Sequence, residues 1–128
     1  MSHSVFIDEI LPEGKTVFLR AKVVDEEDSP VPKAMIDALT VTLYDVGSGA
    51  IINSRDNQNI LDTNGGSLHA TSGDLLLEFS PADMVIVSTV PPQPRYEHHV
   101  ARIEWGYNAT RNGSCDIEFR VENMEKEP

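Results

Sequence analysis

Apolar and polar side chains alternate along most of this chain. The first clear run is Thr16 to Asp25, and a second extends from Ala38 to Val46. One face of each run carries only apolar residues, which are Val17, Leu19, Ala21 and Val23 in the first and Leu39, Val41 and Leu43 in the second. A period of two predicts β-strands with one buried face.

Two further strands are predicted towards the C-terminus. Residues 95–107 place one set of side chains on a single face: His99, Ala101, Ile103, Trp105 and Tyr107. After a predicted loop over residues 108–114, three apolar side chains again share a face: Ile117, Phe119 and Val121. Both stretches are rich in the aromatic and branched residues that suit a pleated surface.

Short elements and turns are predicted between these strands. Residues 50–54 suggest a short return strand, and Asn64-Gly65-Gly66 is a hairpin signal. Ser72-Gly73 predicts a turn before a strand at residues 74–79. Ser80-Pro81-Ala82-Asp83 predicts one short helical turn, because serine suits the N-cap and proline the first helical position. Residues 91–94, Pro-Pro-Gln-Pro, predict a stiff connector.

The pattern therefore predicts an all-β protein of seven or eight short strands. A two-sheet antiparallel sandwich is the economical solution, since each strand has one apolar face to cover. At 128 residues, an immunoglobulin-like domain is favoured over a jelly roll or small barrel. We assign residues 15–124 to the domain and residues 125–128 to a charged tail. Residues 1–14 are either an N-terminal arm or the first strand.

Charge narrows the function classes. The chain has 21 acidic and 10 basic residues, a formal net charge of −11. Such a charge repels phosphate, so neither nucleic acid nor an anionic membrane surface is expected as a partner. No apolar run approaches the roughly 20 residues of a membrane span. Met1-Ser2-His3-Ser4 shows no features of a secretory signal.

No catalytic, cofactor-binding or metal-ligating residue is predicted. Cys115 could in principle meet His98 or His99 across the last hairpin, but a lone cysteine is more often a small buried apolar residue. Adjacent histidines on a strand point to opposite faces, so His98 and His99 are not expected to share a metal ion. The chain is accordingly predicted not to be an enzyme.

Other acidic and aromatic groups receive structural interpretations. The run Asp25-Glu26-Glu27-Asp28 lacks the glycine and glutamate positions of an EF-hand and reads as a solvated turn. The pairs Asp8/Glu9 and Asp116/Glu118 read as solvent-facing strand charges rather than a glycosidase pair. Trp105 and Tyr107 are predicted to pack in the core rather than to form a sugar platform.

Several segments, in their order, resemble the small immunoglobulin-like virion proteins of tailed bacteriophages and prophages. The matching segments are residues 17–25 (VFLRAKVVD), 39–45 (LTVTLYD), 49–53 (GAIIN), 72–83 (SGDLLLEFSPAD), 98–107 (HHVARIEWGY) and 119–128 (FRVENMEKEP). The resemblance extends over about residues 15 to 128 and includes no catalytic signature.

The resemblance implies a non-enzymatic virion structural protein. It would assemble on the head surface, as a decoration or cement protein, or at the head–tail junction, after synthesis in the bacterial host cytoplasm. Its partners would be other virion proteins of the capsid, neck or tail and further copies of itself, without a cofactor. The alternative is a surface-exposed binding module for a glycan or a receptor.

Overall fold

Eight strands and two short 3-10 turns make up the computed structural model, which describes residues 2–87 and 95–123. The strands are β1 Ser2–Pro12, β2 Val17–Lys22, β3 Ile36–Asp45, β4 Gln58–Asn59, β5 Gly66–Leu68, β6 Asp74–Phe79, β7 Tyr96–Tyr107 and β8 Arg111–Glu122. The 3-10 turns are Lys33–Met35 and Pro81–Asp83. Among the described residues, no helix is long and apolar enough to cross a membrane.

The strands form two sheets that pack face to face. The larger sheet has the order β1-β8-β7-β3-β4, and the smaller has the order β2-β6-β5. Chain connections after β1, β2, β4 and β6 pass from one sheet to the other. The pairs β3-β4, β5-β6 and β7-β8 are antiparallel neighbours within a sheet. The predicted all-β sandwich is confirmed. The three-stranded sheet faces a five-stranded sheet that contains the third strand and the last two strands.

The core consists of the predicted apolar faces. The larger sheet contributes Leu39, Val41, Leu43, Ala101, Ile103, Trp105, Ile117, Phe119 and Val121, all at most 2% exposed. The smaller sheet contributes Leu19, Leu75, Leu77 and Phe79, also at most 2% exposed. Each large side chain buried in this way stabilises the fold by about 1.5–3 kcal/mol. The alternation seen in the sequence therefore provides the main stabilising contact between the sheets.

Strand β1 departs from a purely antiparallel sandwich. Residues 2–12 form a strand that pairs in parallel with β8, from Ser2 opposite Ser114 to Pro12 opposite Glu122. The register shifts between Phe6 and Ile10. All other strand pairs are antiparallel. A parallel partner is possible here because the two strands are separated by almost the whole chain, so no tight turn has to connect them.

The predicted hairpin at Asn64-Gly65-Gly66 is wrong. The strands that flank it, β4 and β5, belong to different sheets. The glycines are needed because the backbone passes close to its neighbours as it crosses between the sheets. A Cβ on Gly65 would lie 2.4 Å from the carbonyl oxygen of Glu78, and one on Gly66 would lie 2.0 Å from that of Ile60.

Two other predicted boundaries are also wrong. Residues 50–54 do not form a strand and contribute only an isolated bridge from Ile51 to Tyr44. The loop predicted over residues 108–114 is shorter, because β8 already begins at Arg111. Pairing with β7 extends through this polar stretch, so backbone hydrogen bonds rather than apolar alternation define the strand there. The predicted connector at 91–94 and the tail at 125–128 lie outside the described residues.

The predicted helical turn is confirmed, and it holds a buried ion pair. Ser80 and Asp83 form a reciprocal capping box around the turn. The Asp83 carboxylate accepts hydrogen bonds from Arg55 Nε at 2.6 Å and Nη2 at 3.0 Å, and from Asn53 Nδ2 at 2.8 Å. Arg55 follows β3 and Asp83 follows β6, so this ion pair joins connections that leave different sheets.

Replacement of Asp83 tests this ion pair. Burial acts to raise the pKa of Asp83, but hydrogen bonds from Arg55, Asn53 and the Ser80 backbone outweigh it, so the pKa lies below its ordinary value. Asp83→Asn should cost about 3–5 kcal/mol at neutral pH, since it leaves the buried Arg55 without its counter-charge. Because the pKa of Asp83 is lower in the folded state, this stabilisation is complete at pH values above the unfolded-state pKa of about 3.9. It is lost as the pH falls through the lower pKa of the folded state.

Urea unfolding of the wild-type protein and of Asp83→Asn, at neutral pH and through this acid range, measures the difference in the free energy of unfolding. Asp74→Asn is the matched control, because it removes an exposed aspartate paired with Lys22 and should cost less than about 1 kcal/mol. Equal losses for the two variants at neutral pH would contradict the importance of the buried pair.

Candidate functional site

The adjacent histidines lie on opposite faces of the larger sheet, as predicted. His99 is fully buried and points between the sheets, with its ring 6.0 Å from that of Phe119. His98 lies on the outer face, where its Nε2 is 3.1 Å from Glu118 Oε1. The two imidazoles therefore belong to different environments and cannot act on one ligand.

Cys115 is not close to either histidine. It faces Ile103 in the β7–β8 pairing, while His99 faces Phe119, four residues farther along β8. Four residues of extended chain separate these positions by about 13 Å. Burial raises the pKa of the Cys115 thiol, and the neighbouring Asp116 carboxylate raises it further. Both effects favour the unreactive thiol form.

Two carboxylates of the acidic run at residues 25–28 have separate partners within the chain. Asp25 Oδ1 accepts the backbone N–H groups of Glu27 and Ser29, each at 2.9 Å, and so stabilises the turn. Glu26 instead accepts a hydrogen bond from the Tyr107 hydroxyl at 2.8 Å and pairs with Arg111. These carboxylates serve separate structural contacts. Glu26 is more than the solvated charge expected from the sequence.

The outer-face carboxylates Asp116 and Glu118 also have separate partners. Asp116 accepts two hydrogen bonds from Arg102, at 2.9 and 3.1 Å. Glu118 Oε2 accepts a hydrogen bond from the Ser4 hydroxyl at 2.9 Å, which connects β8 to β1. Such contacts organise the outer surface of the larger sheet.

Trp105 and Tyr107 are buried in the core, as predicted. Trp105 is 2% exposed, and its indole N–H donates to the backbone carbonyl of Val24 at 3.1 Å. A Cβ on Gly113 would lie 2.7 Å from the indole nitrogen, so a glycine on β8 makes room for this ring. Neither side chain is available as a platform for a sugar.

Strand β1 forms the most extensive exposed edge of the larger sheet. It has 11 residues, whereas β4 at the opposite edge has two. Three of its apolar side chains are substantially exposed, with Val5 at 50%, Phe6 at 47% and Ile10 at 40%. An exposed, long, apolar edge strand can pair with another chain. The sequence predicted only an arm or a first strand for residues 1–14 and could not establish that these side chains remain uncovered at an edge.

Side chains from three strands order the outer surface beside this edge. The Arg120 guanidinium lies 5.4 Å from the centroid of the Phe6 ring and 5.6 Å from that of Tyr96. The Phe6 ring also meets His98 edge-on, at a centroid distance of 5.8 Å. We call Phe6, Ile10, Tyr96, His98 and Arg120 the β1 surface. It combines apolar area with fixed aromatic and cationic groups, which are enriched in protein interfaces.

Comparison with known proteins gives no further assignment. No protein-family model matches the chain, and a search of curated proteins finds no sequence match.

Thiol labelling tests the separation of Cys115 from the histidines. In the folded protein, an aromatic disulfide reagent should label Cys115 more than about 100-fold more slowly than in denaturant, since the chain must open to expose the thiol. His98→Asn should leave this rate unchanged. Rapid labelling of the folded wild-type protein that His98→Asn slows would show that an imidazole activates the thiol, contrary to the structure.

Proposed function

We propose that this protein is a non-enzymatic structural component of a bacteriophage virion, incorporated on the head surface or at the head–tail junction. The observation that carries the proposal is the exposed β1 edge with its three exposed apolar side chains. Self-association or docking on another virion protein would cover this edge. The segmental resemblance to immunoglobulin-like virion proteins supplies the biological setting.

The surrounding structure supports a role in assembly. The β1 surface is anchored to the sheet by the Ser4–Glu118 hydrogen bond and by Arg120 between two aromatic rings. An interface whose side chains are already ordered loses less conformational entropy on association. The net charge of −11 would keep the free chain soluble until it docks.

A glycan- or receptor-binding module is the alternative function. The exposed rings of Phe6 and Tyr96 on either side of Arg120 favour it, because aromatic faces can also bind sugars. The burial of Trp105 weighs against it, since the chain's one tryptophan is withdrawn from the surface. Binding to a glycan array without incorporation into particles would favour this alternative.

Particle composition tests the proposed function directly. Phage particles from the source lysate, purified on a density gradient, should contain the chain in many copies when their proteins are quantified by mass spectrometry. Assembly into a symmetric particle requires repeated copies. Failure to find the chain in particles, while it is abundant in the soluble fraction of the same lysate, would refute the virion assignment.

Substitution on the β1 surface then tests the docking surface. Phe6→Ser with Ile10→Ser should reduce incorporation by more than about tenfold, because the pair removes most of the exposed apolar side-chain area on the outer face of β1. Incorporation is measured from particles assembled while the variant chain is the only copy expressed.

Phe18→Ser is the matched control on β2, where Phe18 is 55% exposed. Circular dichroism and thermal unfolding establish that each variant is folded. An equal loss of incorporation for Phe18→Ser, or no loss for the β1 variant, would contradict a specific role of the β1 surface.

A further inference from the structure

Three buried ionisable side chains converge where β3 ends and β7 begins. Asp45 and Glu97 are each 7% exposed, and His99 is fully buried. Glu97 and His99 are two residues apart and share the inner face of β7, while Asp45 is the cross-strand partner of His99 on β3. The local register of two adjacent strands therefore brings two carboxylates and one imidazole together.

The three donor atoms are close enough to surround one ion. His99 Nε2 lies 2.9 Å from Glu97 Oε1 and 3.7 Å from Asp45 Oδ1, and the three ligand atoms lie within 4.8 Å of one another. Zinc bonds to histidine nitrogen and carboxylate oxygen are about 2.0–2.2 Å long, so the edges of a tetrahedral site measure about 3.4 Å. Small side-chain adjustments would bring all three atoms to that spacing.

Hydrogen bonds from neighbouring backbone and hydroxyl groups orient the two carboxylates. Ser48 donates its N–H at 3.0 Å and its hydroxyl at 2.7 Å to Asp45 Oδ2, which leaves Oδ1 turned towards His99. The backbone N–H of Val87 donates to Glu97 Oε1 at 2.7 Å. Hydrogen bonds of this kind fix the orientation of metal-ligating carboxylates in proteins.

A surface cavity of about 480 Å³ borders the two carboxylates of the cluster. Asp45 and Glu97 line it, together with the turn at residues 46–48, Tyr96 and His98. A mixed nitrogen and oxygen donor set with three protein ligands is typical of zinc sites that keep a fourth position for water or another ligand. The cavity provides space for that fourth ligand.

We propose that Asp45, Glu97 and His99 form a binding site for one divalent transition-metal ion of the zinc class. Two carboxylates and one imidazole carry a net charge of −1 as a set when the imidazole is protonated. A divalent ion bound to the neutral imidazole and both carboxylates gives a neutral set, which removes an unfavourable buried charge. None of the three ligands belongs to the β1 surface, although Tyr96 and His98 of that surface line the same cavity.

Metal binding to the purified full chain tests the proposal. Metal-stripped protein is titrated with Zn²⁺ in a calorimeter, and bound zinc per chain is measured by elemental analysis after dialysis. One zinc per chain and a rise in melting temperature are expected. Co²⁺ at the same site should give the intense visible absorption of a four-coordinate ion. No zinc bound at about a tenfold excess over protein would overturn the proposal.

Substitutions distinguish this site from the outer His98–Glu118 pair. Asp45→Asn and Glu97→Gln each keep the size of the side chain and should weaken zinc binding by more than about 100-fold, since each removes a charged ligand. His98→Asn is the matched control and should retain wild-type affinity. Zinc binding that His98→Asn abolishes, or that survives in both carboxylate variants, would overturn the assignment.

Circular dichroism without zinc provides the folding control. Each variant is compared with the wild-type protein before titration, and a variant that does not fold is excluded from the comparison. The wild-type stoichiometry and the His98→Asn result still decide the question in that case. Failure of zinc binding leaves the particle experiment unaffected, since the three proposed ligands are not members of the β1 surface.

Discussion

The fold depends on the contact between the two sheets, because each sheet buries the apolar face of the other and so removes it from water. Phe79 from the smaller sheet and Phe119 from the larger one meet across this layer, with ring centroids 6.2 Å apart. The smaller sheet has only three strands against five. Strand β1 lies at the edge of the larger sheet, where Ile7 and Leu11 pack against the core. Phe6 and Ile10 lie on the outer face of this strand, which the smaller sheet does not cover, and they remain exposed.

Two buried polar clusters flank the pair of phenylalanines. The Arg55 guanidinium lies 5.2 Å from the centroid of the Phe79 ring, and the His99 ring lies 6.0 Å from that of Phe119. Arg55 and Asp83 are directly paired, so their charges compensate each other. The cluster of Asp45, Glu97 and His99 has two carboxylates beside one imidazole, and a divalent cation would balance the two carboxylates when the imidazole is neutral. The contrast between the clusters identifies the second one as the candidate ligand site.

The adjacent residues His98 and His99 show how a strand separates functions. His98 contacts Phe6 and Glu118 on the outer face, within the surface proposed to dock on other virion proteins. His99 faces inward with Glu97 and Asp45. Because successive side chains alternate, a substitution at one position leaves the environment of the other largely intact. The two proposals can consequently be tested independently in the same protein.

Sequence alternation alone determined the sandwich and most of its core, because a period of two places every second side chain on the buried face. The sequence also predicted the Ser80–Asp83 turn, because the residues that cap it are neighbours in the chain. It did not reveal that β1 pairs in parallel with β8, that Asn64-Gly65-Gly66 crosses between sheets, or that Arg55 reaches Asp83. Those features join residues far apart in the chain, so only the tertiary structure decided them. The cluster of Asp45, Glu97 and His99 is another such feature. The sequence shows that Glu97 and His99 are two residues apart, but only the register between β3 and β7 places Asp45 beside them.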